Sequence, residues 1–128
     1  MMPPARRRLW LALGLYAALS AVYLASADPA RVWHHTPFNH FALQARAWLD
    51  GHLDLGQPPP GYAQNNDFAH LDGRWFVVFP ALPALLVLPA VAVAESVEKV
   101  RDGQFFLWWA GLAPALLFLA LERLRDLG

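Results

Sequence analysis

The sequence predicts an all-α membrane protein with about three transmembrane helices and an outer loop that contains a short amphipathic helix and a β-hairpin. Three observations carry this expectation. The chain of 128 residues is 57% hydrophobic and only 16% charged, against about 45–50% and about 25% in soluble domains. Charge is absent from three windows, residues 9–27, 75–94 and 105–121. All five His and five of the ten acids fall between the first two windows. A net charge of zero gives no electrostatic footprint for nucleic acid. With no Cys, disulfides and thiolate metal sites are excluded.

The first window adjoins a basic end, residues 1–8, in which Arg6, Arg7 and Arg8 stand together. Nineteen uncharged residues at about 1.5 Å each span roughly 28 Å, close to the hydrocarbon thickness of a bilayer. Trp10 lies at the start, where an interfacial aromatic belongs. A second reading shares these residues: a basic start, an apolar run and Ala25-Ser26-Ala27 before Asp28 also describe a cleavable signal peptide. Either reading sends the segment after Ala27 across the membrane.

Residues 28–74 form the outer loop, which is too long for a bare connector. Thr36-Pro37 reads as a helix N-cap and first residue. Phe38, Phe41, Ala45 and Trp48 recur at helical steps, and Gly51 is placed as a stop. The apolar face of this short helix suits a membrane surface. Gln57-Pro58-Pro59-Pro60-Gly61 is an extended or turning stretch. Asp72-Gly73, between residues 68–71 and 74–77, is a two-residue hairpin signal. Residues 75–94 then hold a hairpin strand and a second span, which begins near Pro80 and continues into residues 95–100. Pro89 kinks it, a feature tolerated where neighbouring helices satisfy the freed carbonyl. Residues 95–104 are a charged connector, 105–121 a third span and 122–128 a tail.

In this arrangement the cytoplasmic side carries Arg6, Arg7, Arg8, Lys99 and Arg101, and the outside carries Arg31, Arg46, Arg74, Arg123 and Arg125. The compact cluster beside the first span decides the tie: the amino terminus is inside, and the loop is extracytoplasmic, in a plasma or inner membrane. Three helices with so many Pro and Trp suit a larger bundle. The expected partners are therefore the lipid bilayer and further helices, from a longer chain or from an oligomer.

Within the loop, Asp67 beside Asn65 and Asn66 offers a carboxylate and two amides, groups that recognise hydroxyls; the same residues also build turns. His40 is a base near neutral pH, or else a solvated interfacial His. Arg74 and Trp75 meet a lipid phosphate or serve as an ordinary boundary anchor. His34, His35 and His40 lack the spacing of a helical metal site, so no metal is expected.

Several stretches together resemble the amino-terminal module of GT-C type polytopic membrane glycosyltransferases, a superfamily that includes protein mannosyltransferases, and in particular an uncharacterised bacterial group. They are Thr36-Pro37-Phe38-Asn39-His40-Phe41, Ala45-Arg46-Ala47-Trp48-Leu49-Asp50-Gly51, Asn65-Asn66-Asp67-Phe68-Ala69, Asp72-Gly73-Arg74-Trp75-Phe76 and Phe79-Pro80-Ala81-Leu82-Pro83-Ala84-Leu85-Leu86. The resemblance implies a glycosyltransferase that uses a polyprenyl-phosphate sugar as donor and no cofactor held by this chain. It implies that the chain is the amino-terminal part of such an enzyme, inactive alone. In that superfamily an acidic residue of the first outer loop acts as general base; here the corresponding place holds Asn39-His40. His40 and Asp67 are thus the candidate catalytic residues, and Asn39, Asn65, Asn66, Arg74 and Trp75 the candidate substrate-binding ones. The alternative is a small non-enzymatic membrane subunit whose outer loop binds a partner.

Overall fold

The computed structural model describes residues 3–61 and 67–127. The chain is mostly helical with one two-stranded sheet: α1 (Pro4–Ser26), α2 (Pro29–Trp33), α3 (His40–Leu49), β1 (Phe68–Leu71), β2 (Arg74–Val77), α4 (Ala81–Ala94), a 3₁₀ turn (Val97–Lys99), α5 (Asp102–Ala110) and α6 (Leu112–Arg125). It divides into two compact units, Asp28–Phe105 and the segments on either side of it.

In the flanking unit α1 and α6 pack antiparallel. Near one end Arg8 meets Glu122 at 3.0 Å and is ion-paired to Asp126. Towards the other, the Tyr16 hydroxyl donates to the Trp108 carbonyl at 2.9 Å. The helices approach closely at Gly111: a Cβ there would overlap the Tyr16 carbonyl oxygen and stand 2.5 Å from the Ser20 hydroxyl. Ala12 and Ala115 are buried, whereas Leu9, Trp10, Leu11, Leu13, Leu116, Leu117 and Leu121 are exposed. Two helical stretches, Ala5–Ser26 and Asp102–Arg125, are long and apolar enough to cross a membrane.

In the Asp28–Phe105 unit, α3 lies on α4. The core is Ala42, Ala45, Val87, Val91 and Val100, with Phe41, Leu88, Val97 and Phe105 packed around it. Alanines on α3 allow the close approach, and β-branched valines on α4 fill the space between the helices. Of the apolar residues expected on one face, Ala45 lies in this core and Phe41 packs against it, while Phe38 precedes the helix and is exposed. The hairpin forms where Asp72-Gly73 placed it. Both residues have positive φ, 49° and 76°, as a two-residue hairpin turn demands, and Phe68 pairs with Val77 and Leu71 with Arg74.

Three boundaries differ from expectation. The loop helix begins at His40, not at Pro37; Thr36 only accepts a weak turn bond from the Phe38 amide. Gly51, at φ 81°, does stop it. The helix expected over the second apolar window is α4, 14 residues and roughly 21 Å long, short of a bilayer's hydrocarbon core. It does not run on into residues 95–100, because Glu95 turns left-handed at φ 58° and ends it. A short apolar helix buried on one side by its neighbour satisfies the same hydropathy as a span. Finally, the expected outer loop and the expected connector are bonded to each other. Asn39 donates to the Val100 carbonyl, and the amides of Phe41 and Ala42 donate to Asp102. A bilayer cannot separate groups within hydrogen-bond distance, so α4 does not divide them.

Candidate acid–base site

Asp67 and His40 are 27 positions apart, yet His40 Nε2 lies 3.4 Å from Asp67 Oδ2. Each is placed by a different element. Asp67 stands at the open end of the hairpin, where its carbonyl accepts from the Val78 amide at 3.2 Å; the register set by Asp72-Gly73 thus fixes it. His40 is the first residue of α3. Its ring sits in an aromatic box, with ring centroids 5.1 Å from Phe68, 5.3 Å from an edge-on Phe79 and 6.4 Å from Phe38.

A latch holds the start of α3. Asp102 is buried and accepts from the Phe41 amide at 2.7 Å and from the Ala42 amide at 3.1 Å. A carboxylate there satisfies orphan donors of the first turn and suits the positive end of the helix dipole. Asn39 completes the latch: its amide group donates to the Val100 carbonyl at 2.7 Å, and its oxygen accepts from the Asp102 backbone at 3.2 Å. Gly103 allows the Arg31 backbone to approach, since a Cβ would stand 2.7 Å from the Arg31 carbonyl oxygen. Arg31 itself lies 4.2 Å over the Phe38 ring.

Arg31, Phe38, His40, Phe41, Asp67 and Phe79 line an open pocket of about 460 Å³. Burial is the largest influence on His40 and holds its pKa below the usual imidazole value; the Asp67 carboxylate and a backbone hydrogen bond with Phe38 oppose it, and Arg31 adds to it. His40 is almost enclosed, while the side chain of Asp67 is 30% exposed. Asp67 is therefore the more accessible member of the pair.

The other expected site residues lie elsewhere. Asn39 is buried, and its amide is taken up by the latch, so it positions His40 instead of reaching the pocket. Arg74 is exposed, 3.8 Å from Asp54, and Trp75 stacks on His70 at 4.3 Å. These two line a second recess of about 380 Å³ together with His52, Gln57 and Pro58. Asn65 and Asn66 lie outside the described residues. Sequence reasoning missed Arg31 and Asp102. Arg31 has a faint signal, a cation within ten residues of His40; Asp102 has none, because its partners are about 60 positions away. Comparisons with protein-family models, curated proteins and solved structures return no match to this chain.

Proposed function

We propose that the chain is an integral membrane protein with two spans, α1 and residues 105–121, and that the segment between them serves glycosyl transfer from a polyprenyl-phosphate sugar. The observation that carries the reading is the meeting of His40 and Asp67 beside Arg31 in an open pocket. In the proposed reaction the acceptor hydroxyl attacks the sugar's anomeric carbon. Asp67 takes the hydroxyl proton, supported by His40, and the bond to the polyprenyl phosphate breaks, the phosphate leaving with its electron pair. Arg31 is placed to meet phosphate charge. The likeness to GT-C modules supports the donor class and a role within a larger membrane assembly. Leu82, Leu85 and Val93, exposed on the outer face of α4, support further helices or lipid there.

Membrane insertion is supported by the exposure of large apolar side chains along both long helices, a surface that water disfavours. Arg8 is bonded to Glu122 and Asp126, so the outer ends of the two spans share one membrane face. That face gathers Arg6, Arg7, Arg8, Arg123 and Arg125, which supports a cytoplasmic placement for it and an extracytoplasmic one for residues 28–101.

The test uses the protein as its cell makes it. Membranes carrying wild type, Asp67→Asn or His40→Ala are given radiolabelled polyprenyl-phosphate hexose, and transfer of label is followed. Loss of a general base predicts a fall of about 10²–10⁴ for Asp67→Asn. Full transfer by both variants overturns the site. Because the chain has no Cys, single cysteines report topology directly. Asp72→Cys and Glu98→Cys should both react with an impermeant maleimide from outside, and Leu127→Cys should not. Opposite reactivity of positions 72 and 98 would restore a third span.

A further inference from the structure

We infer that the cytoplasmic end of the α1–α6 pair is a binding site for the phosphate headgroup of an anionic phospholipid. A pocket of about 270 Å³ opens there between the two helices, lined by Arg7, Arg8, Leu11, Phe118, Glu122 and Arg125. The inference rests on the membrane reading above, but not on the glycosyl-transfer site.

Four observations lead to it. The first is charge: three guanidinium groups and one carboxylate line the pocket, a second carboxylate, Asp126, is bonded to Arg8, and Arg6 and Arg123 lie on the same helix ends, so five arginines stand against two acids. The second is how the lining carboxylate is used. Glu122 meets Arg8 at 3.0 Å and Arg125 at 2.8 Å, so its charge is answered within the pocket. It also sets the two guanidinium groups on either side of itself. The third is Arg7, which makes no hydrogen bond or ion pair with a carboxylate among the described residues and keeps its donors for a ligand. The fourth is polarity along the helix axis. Leu11 on α1 and Phe118 on α6 lie one turn further into the spans than Arg7 and Glu122, so the pocket is basic at its mouth and apolar at its inner end.

A phosphodiester with acyl chains matches that order, head against arginine and tail against Leu11 and Phe118. Planar guanidinium groups bind phosphate oxygens two at a time, and basic pockets between spans on the cytoplasmic side are where acidic headgroups dock. A soluble phosphate would use the arginines but gain nothing from the apolar end, and for that reason the site is assigned to lipid.

The test begins with the whole protein reconstituted in vesicles of phosphatidylcholine and phosphatidylglycerol. It is then released gently into detergent and weighed by native mass spectrometry. Wild type should retain phosphatidylglycerol in preference to phosphatidylcholine. Each arginine removed near an anionic headgroup should weaken retention roughly fivefold, so Arg7→Gln with Arg125→Gln should lose about 25-fold. Lysine at both positions should recover most of it. Arg8 is left intact because it ties α1 to α6. Equal retention of the two lipids, or unchanged retention by the double glutamine variant, overturns the proposal. So does complete displacement by inorganic phosphate, which would make this a site for the free ion. Alkaline extraction separates this failure from the larger one: a chain that leaves the membrane defeats the membrane reading, while one that stays but holds no phosphatidylglycerol defeats only the lipid site.

Discussion

Replacing Asp102 by alanine removes two acceptors from the start of α3 and leaves the amides of Phe41 and Ala42 without partners. Ala42 is fully buried and Phe41 partly so. An orphaned buried donor costs about 1–3 kcal/mol, so the pair costs roughly 2–4 kcal/mol, with Phe41 at the low end. In a unit the size of Asp28–Phe105 each kcal/mol is worth about 4–8 °C in Tm. The Asp102→Ala protein in detergent should therefore melt about 8–32 °C lower. Hydrogen exchange should show the first turn of α3 losing protection before the hairpin does. Asp102→Asn keeps one acceptor oxygen and should fall about half as far. A Tm within about 2 °C of wild type for the alanine variant would refute the latch. So would equal loss of protection across the whole unit.

Two further outcomes are expected from the structure. Burial lowers the His40 pKa below its unfolded value of about 6.5, so the folded state favours the neutral ring. Its contribution is complete above that pH and is lost as pH falls through the folded value. Relative to His40→Gln, wild type should lose Tm more steeply on acidification below about pH 6.5, and parallel curves would sink the assignment. Gly111→Val forces a branched side chain into the Tyr16 backbone and the Ser20 hydroxyl. Overpacking of this kind costs about 1–3 kcal/mol, and thermal melts in detergent should show it for Gly111→Val but not for Gly14→Val, where nothing lies within 4 Å.

What the sequence disclosed about this fold depended on how far apart the determining residues lie. The hairpin was legible to the residue because its cause is local: Asp72 and Gly73 both adopt positive φ. The stop of α3 at Gly51 was legible for the same reason. Its start was not, since the groups that hold it are Asn39 and Asp102, about 60 positions apart. Hydropathy suggested a span for α4 because valine and leucine look alike to lipid and to a protein core; its length of 14 residues and the bonds from Asn39 and Asp102 across it are features of the fold that hydropathy does not carry. Both candidate catalytic residues were legible by type, and their encounter was not, because it needs the hairpin and α3 together. Asn39 was legible as a polar residue beside His40 but not as a buried strut, since burial is a property of neighbours.

The Asn39–Asp102 latch has a further consequence for biosynthesis. The first turn of α3 is finished by a residue that leaves the ribosome about 60 residues later. At about 5–20 residues per second, this interval lasts roughly 3–12 s. During that time the nascent segment carries an uncapped helix start. On the two-span reading, Asp102 must itself be translocated before it can close the turn. The residues that line the pocket around His40 have all been made by the time Phe79 is added, so the pocket's walls precede the cap that fixes the start of α3.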